Sequence, residues 1–236
     1  MDSGSLHAAA ALDVLSRMHD VRAQNIANAD TTGYRRRVAT ADAFSNSLRK
    51  ASGMTLPDLA EDVDFTQGEL KPTDSPNDLA ISGPAFFALE TTQGTRYTRN
   101  GAFNTNAEGF LVAADGARVL GQGGPIQTDP TQGPIAVQAN GAVIQNNAEV
   151  GRLKLVEFGN VRKLLADRDG RFREDAGSDP REAGTSTVQQ GYLERANVNV
   201  IDEMVQMIAG FRAFEAAQKA LTSIDRVRQE ATNPRG

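Results

Sequence analysis

The sequence predicts an α+β chain: a central antiparallel β-sandwich or barrel-like domain flanked by N- and C-terminal amphipathic helices. Three observations carry that expectation. Apolar residues recur in steps of three and four near both ends of the 236-residue chain, the period of one helix face. Between them the pattern changes to short β-prone runs closed by turn-forming pairs, which is how an antiparallel sheet is written. No helical stretch alternates with those runs, so the crossovers that a parallel sheet needs are missing.

The elements follow in order. Residues 5–28 read as a helix with Leu12, Leu15, Met18 and Val21 on one side. It should end near Asn28, where Ala29-Asp30-Thr31-Thr32-Gly33 is a run of turn formers and Gly33 can take a positive φ. A weaker helical stretch is expected over 38–51, an irregular connection over 52–66, and an extended segment over 65–78 broken by Gly68, Pro72 and Pro76. The β-prone runs are 86–90, 96–99, 110–113, 118–120, 135–138, 142–145 and 153–158. Gln93-Gly94, Asn100-Gly101, Glu108-Gly109, Asp115-Gly116, Asn140-Gly141 and Asp169-Gly170 mark the turns. Residues 175–187, polar and holding Gly177, Pro180 and Gly184, read as an exposed loop or linker.

The C-terminal helix is expected over 199–229, with an apolar stripe of Ile201, Met204, Ile208, Phe211, Phe214, Ala217, Leu221, Ile224 and Val227. Asn199 is placed to cap it, and Asp202 and Glu203 stand where carboxylates favour the positive end of the helix dipole. At about 1.5 Å per residue it would run roughly 45 Å, more than a compact domain of this size covers. Its stripe therefore pairs with the N-terminal helix or with other subunits. The expected organisation is an N-terminal assembly helix and connector (1–64), a β-domain (65–175), a returning linker (176–198) and a C-terminal assembly helix (199–236).

Composition narrows the function. A net charge of -5 gives no bulk attraction to nucleic acid or anionic lipid, and Arg35-Arg36-Arg37 is the dense basic patch. Aromatics are 6% and tryptophan is absent, which argues against a base-stacking platform. With no cysteine, neither a disulfide nor a thiolate metal site contributes. The opening residues lack a secretory signal, and no run approaches the roughly 20 apolar residues of a membrane span. No nucleic acid partner, no membrane insertion and no cleaved signal peptide are expected.

Chemistry finds little support. Asp167-Arg168-Asp169-Gly170 begins like a calcium loop, but the twelfth position is Ser178 and not glutamate, so a hairpin turn between Leu165 and Phe172 is expected. Gly121, Gly123 and Gly124 precede Pro125 with no helix to offer its N-terminus to a phosphate. Glu61, Asp62 and Asp64 lie in a polar connector without the burial that tunes a carboxylate. His7 and His19 would stand about three helical turns apart, too far to share an ion. No serine has a base and an orienting acid. No catalytic, cofactor or metal site, and no cofactor, is expected; Arg35 to Arg37 are expected to be solvated or paired with acids.

Two asparagine-rich motifs are only half explained by capping. Asn25 and Asn28 share one helix face near its end, and Asn197 and Asn199 sit before the other helix. With them, Gln24-Asn25-Ile26-Ala27-Asn28 and Thr31-Thr32-Gly33-Tyr34-Arg35 resemble the N-terminal signature of the bacterial flagellar basal-body rod and hook protein family. Gly191-Tyr192-Leu193-Glu194 and Asn197-Val198-Asn199-Val200, running on to Glu203-Met204-Val205, resemble its C-terminal one. Asp78-Leu79-Ala80-Ile81-Ser82-Gly83, Tyr97-Thr98-Arg99-Asn100-Gly101 and Gly109-Phe110-Leu111-Val112 are similar to its central β-domain.

The resemblance implies a structural rod subunit, not an enzyme, that self-assembles helically through its terminal helices in coiled-coil fashion into the shaft that carries torque. Its implied partners are copies of itself, other rod and hook proteins and the flagellar type III export apparatus; its implied place is the periplasm-spanning rod. Gln189-Gln190-Gly191-Tyr192 resembles the distal rod type, whereas the length and Gly123-Gly124-Pro125-Ile126 resemble the proximal one, and both stay open. The residues expected to serve assembly and packing are Leu12, Leu15, Met18, Asn25, Asn28, Asn197, Asn199, Met204, Ile208, Phe211, Phe214 and Leu221. Terminal stripes without a permanent partner are expected to order on polymerisation. The alternative from the residues alone is a soluble β-domain binding module dimerised by its terminal helices.

Overall fold

The computed structural model describes residues 3–39 and 61–232. Two compact units share the chain: Met1–Ala29, Arg36–Asp64 and Val198–Gly236 form one, Asp30–Arg35 and Phe65–Asn197 the other. The first is helical and the second is β-rich, so the α+β class holds.

The helical unit contains α1 (Ser3–Ala27) and α2 (Val200–Thr232), packed against each other. It also contains a two-stranded ribbon, Arg37–Ala39 antiparallel to Glu61–Val63 with Val38 opposite Asp62. This corrects two expectations. Val38 and Ala39 belong to a strand and not to a helix, and the connector expected over 52–66 ends in a strand at Glu61–Val63. The rest of the weak helix, residues 40–51, lies outside the described residues. The ribbon forms because Asp64 N–H continues the ladder to Arg36 O at 2.8 Å and Asn25 occupies the backbone of Arg37.

In the β unit the largest sheet has ten strands, and every pairing is antiparallel. Phe86–Thr91 is central, between Gly94–Thr98 and Arg118–Gly121. The path of paired strands ends at Leu164–Ala166 on one side and Asn104–Thr105 on the other, so the sheet is open and no closed barrel forms. Phe87 and Leu89 point into a core with Leu79, Ile81, Leu111, Val119, Val143 and Leu153. Phe86, on the opposite face, meets Phe65, Phe158 and Phe172 at centroid distances of 5.7–6.0 Å. A strand covered on both faces reads as a continuous apolar run, and Phe86-Phe87-Ala88-Leu89 is one.

Most of the expected turns form, although Asn100-Gly101 closes no hairpin, because Gly94–Thr98 and Asn104–Thr105 do not pair. Gly94, Gly109, Gly116 and Gly141 take positive φ, and Arg168–Gly170 closes the hairpin between Leu164–Ala166 and Arg171–Glu174, with Asp169 at φ 59. Residues 176–198 depart from the linker expected there: they supply the strands Pro180–Glu182, Thr187–Gln190 and Tyr192–Glu194. Their polarity hides this, because Val188 alone of Thr187–Gln190 reaches the core. Gln190 instead serves backbone, accepting from Val137 N–H and donating to Ile135 O and Pro76 O at 2.7–3.0 Å.

Candidate assembly surface

The helix pair shows how α2 divides its faces. The residues of α2 turned toward α1 are Glu203, buried, and Met207, Gly210, Phe214, Ala217 and Leu221, half-buried. Their spacing of four and three is that of a coiled-coil seam. On α1 the matching set is Val14, Met18, Val21 and Asn25, with Val14, Val21 and Asn25 buried and Met18 half-buried. Leu12 and Leu15 are half-buried beside it. Arg22 reaches across, its Nη1 donating to Gln206 O at 2.6 Å.

Of the stripe expected on α2, Phe214, Ala217 and Leu221 join this seam, while Ile201, Met204, Ile208 and Phe211 do not. These four and Val205 are 48–73% exposed. They occupy a second face, about 140° around the helix at 100° per residue. Steps of three drifted off the true seam because a strict four-three alternation is needed to stay on it. The side chains of Ile224 and Val227 lie outside the described residues. Beside the second face, Leu15, Ser16 and His19 of α1 and Gly210, Phe211 and Phe214 of α2 surround an apolar hollow of about 160 Å³.

The four asparagines take four different tasks. Asn25 accepts from Arg37 N–H at 2.9 Å and donates to Arg37 O at 2.8 Å, a two-bond ring with one backbone residue. Its amide also donates to Glu203 Oε1 at 3.2 Å, and Arg36 Nη1 stands 3.5 Å from the same oxygen. One buried amide thus joins the end of α1, the ribbon and the first turn of α2. Asn28 bonds back to Gln24 O at 2.8 Å and closes α1. Asn199 caps α2 as expected, accepting from Ile201 N–H at 3.1 Å and Asp202 N–H at 3.4 Å. Asn197 belongs to the β unit, where it donates to Thr66 O at 2.9 Å.

The basic triplet separates as well. Arg36 pairs with Asp64 at 3.5 Å as well as with Glu203. Arg35 takes the second of the two expected roles, pairing with an acid, but it does so buried: its Nη2 donates to Glu194 Oε1 at 2.6 Å. Arg99 Nε stands 3.3 Å from the other carboxylate oxygen. Burial lowers the Arg99 guanidinium to about 10, with Glu194 opposing the shift and Arg35 adding to it. Glu194 lies in a motif that carries the resemblance, but nothing in its spacing announces complete burial.

On the β unit a groove of about 590 Å³ is lined by Tyr97, Gln122, Lys154, Glu174, Arg181 and Glu182 among others. Gln122 bonds Glu182 across it and Arg181 bonds Asp179 outside it, so three of its polar groups are already engaged. Among the described residues no three His, Asp or Glu side chains cluster as a metal site would require. His19 lines the helix hollow, and Asp167 pairs with Arg96.

The sequence is related to known proteins at both ends and in the middle. Residues 189–233 match the family described as flagellar basal body rod FlgEFG protein C-terminal, and residues 80–145 the flagellar hook protein FlgE/F/G D1 domain. The flagellar basal-body rod protein FlgF of Caulobacter vibrioides is 35% identical over 94% of this chain and 93% of its own length. FlgF of Escherichia coli is 33% identical over 87% of both chains, and FlgG of Bacillus subtilis 30% over 91% of this chain and 92% of its own. With similarity spread over α2, the β unit and nearly the full length, the chain belongs to the flagellar basal-body rod protein family.

Proposed function

We propose that this chain is a structural subunit of the bacterial flagellar basal-body rod and that it assembles through the uncovered face of α2. The carrying observation is that Ile201, Met204, Val205, Ile208 and Phe211 stay 48–73% exposed on a helix whose other face is already paired with α1. Soluble chains seldom leave so continuous an apolar stripe open unless a partner covers it. A repeated partner fits best, because a ridge beside a hollow on one molecule makes a heterologous contact that propagates helically. Its partners are copies of itself and other rod and hook proteins, it passes the flagellar export apparatus, and it spans the periplasm within the rod, carrying torque. It performs no catalysis and binds no cofactor. The two covered faces of Phe86–Thr91 support layered, sandwich-like packing in the β unit.

Ile208→Asp tests the surface. Polymerisation followed by light scattering is expected to be lost, while far-UV circular dichroism and the folding of the β unit stay as in the wild type. Normal polymers from the variant would refute this face. The alternative, a binding module, rests on the groove by Tyr97 and Lys154; polar groups along it are already engaged, which favours the rod reading.

A further inference from the structure

We propose that Glu194 is the positioning residue that ties together the chain segments leaving the β unit, and that it does so as a buried charge rather than as core packing. The chain passes between the units four times: after Ala29, after Arg35, after Asp64 and after Asn197. Glu194 touches or neighbours each passage. Its backbone oxygen accepts from Gly33 N–H at 2.7 Å, in the six-residue strap Asp30–Arg35 between the first two. Its Oε1 accepts from Arg35 Nη2 at 2.6 Å, at the second, and from Gly68 N–H at 2.9 Å, four residues past the third. Glu194 itself stands three residues before the fourth, where Asn197 also bonds Thr66 O at 2.9 Å.

The carboxylate is in turn anchored to the sheet. Arg99 Nε lies 3.3 Å from Glu194 Oε2, and Arg99 donates to Ala85 O at 2.6 Å and Gly83 O at 2.5 Å, at the start of Phe86–Thr91. The strap is seated on the same chain: a Cβ on Gly33, at φ +69, would come within 2.3 Å of Asn100 N. Glu194 is 0% exposed and the side chains of Arg35 and Arg99 are 1% and 2% exposed. Without the carboxylate two guanidiniums would share a dry site with no counter-charge, and Arg35 and Gly68, at the second and third passages, would lose their common partner. If the chain is a rod subunit, any force handed along the backbone from one unit to the other crosses these four passages, so the same tie lies in the torque path. That last step rests on the proposed function; the tie itself does not.

Hydrogen exchange on the isolated chain separates the two. In Glu194→Gln the amides of Gly33 and Gly68 are expected to exchange at least tenfold faster, with those of Leu89 and Val119 in the central sheet unchanged. Arg35→Met, which leaves a neutral Arg99–Glu194 pair, is expected to release Gly33 and spare Gly68; Glu182→Gln, at the surface, should change neither. Unaltered exchange at Gly33 and Gly68 in Glu194→Gln would overturn the tie, and equal acceleration in the central sheet would make Glu194 a packing residue. Should Glu194→Gln not fold, Arg35→Met decides alone: Gly33 and Gly68 responding alike, or not at all, would overturn the proposal. In cells, Glu194→Gln is expected to give rods of normal length with slower swimming; normal swimming, or absent rods, would overturn its part in carrying torque. Rods that survive Ile208→Asp would count against the assembly face only.

Discussion

Asn25 shows why short polar side chains near helix ends resist reading from spacing alone. A capping asparagine needs only the next turn of its own helix, so Asn199 could be assigned from the residues that follow it. Asn25 instead bonds Arg37, twelve residues on, and Glu203, 178 residues on, contacts with no local signal. Asn25→Ala would remove both side-chain bonds to the half-buried backbone of Arg37, at a cost of about 1–3 kcal/mol; thermal unfolding of the helical unit checks this. Asn199→Ala should cost about 1 kcal/mol, confined to the first turn of α2. Arg35 was legible as an arginine in need of an acid, but its acid lies 159 residues away and both are buried, which charge spacing cannot reveal. A hydrogen bond from Arg96 holds the Asp167 carboxyl below its ordinary 3.8. A depressed carboxylate stabilises the fold above its unfolded value and loses that contribution as pH falls through the folded one. Asp167→Asn should therefore cost roughly 0.2–1 kcal/mol at pH 7. Its melting temperature should converge on that of the wild type in acid, well below pH 4.

Helix α2 was legible in extent and in its cap, because a long amphipathic pattern is a strong signal. Which of its faces meets α1 was not. The seam runs through Glu203 and Gly210, a charged residue and a glycine that no apolar count would choose, while the most apolar positions face outward. A Cβ on Gly210 would meet only the tip of the Arg22 side chain, at 3.0 Å. Small strands were missed for a related reason: Glu61–Val63 and Pro180–Glu182 carry little apolar pattern and are recruited by pairing with Arg37–Ala39 and Leu155–Phe158. Tertiary partners override weak local preference in such segments. A helix pair joined along one stripe, with Met207, Phe214 and Leu221 only half-buried, lies at the low end of local stability. In a demonstrated monomer, amides of α2 beyond Gly210 should exchange well ahead of those in Phe86–Thr91, and strong protection across 201–227 would contradict this. Phe214→Asp should separate α1 from α2, in contrast to Ile208→Asp, which should not.

At the scale of the molecule, the chain weaves rather than runs in series: Asp30–Arg35 belongs to the β unit although its neighbours on both sides belong to the helical one. From the residues alone the terminal helices could pair with each other or with other subunits, with strands between them; in the structure α1 packs against α2 within the one chain. The return of 30–35 depends on Gly33 and Arg35 meeting Glu194, a long-range contact beyond the reach of local patterning. What makes the molecule a rod subunit in this account is the combination of a paired seam and an uncovered ridge on one helix, so that burial within the chain and burial between copies do not compete. Electron microscopy of basal bodies from a strain lacking this chain tests that most directly. Rods are expected to be absent or to stop short, and restoring the wild-type chain to restore them; intact rods in its absence would contradict the assignment.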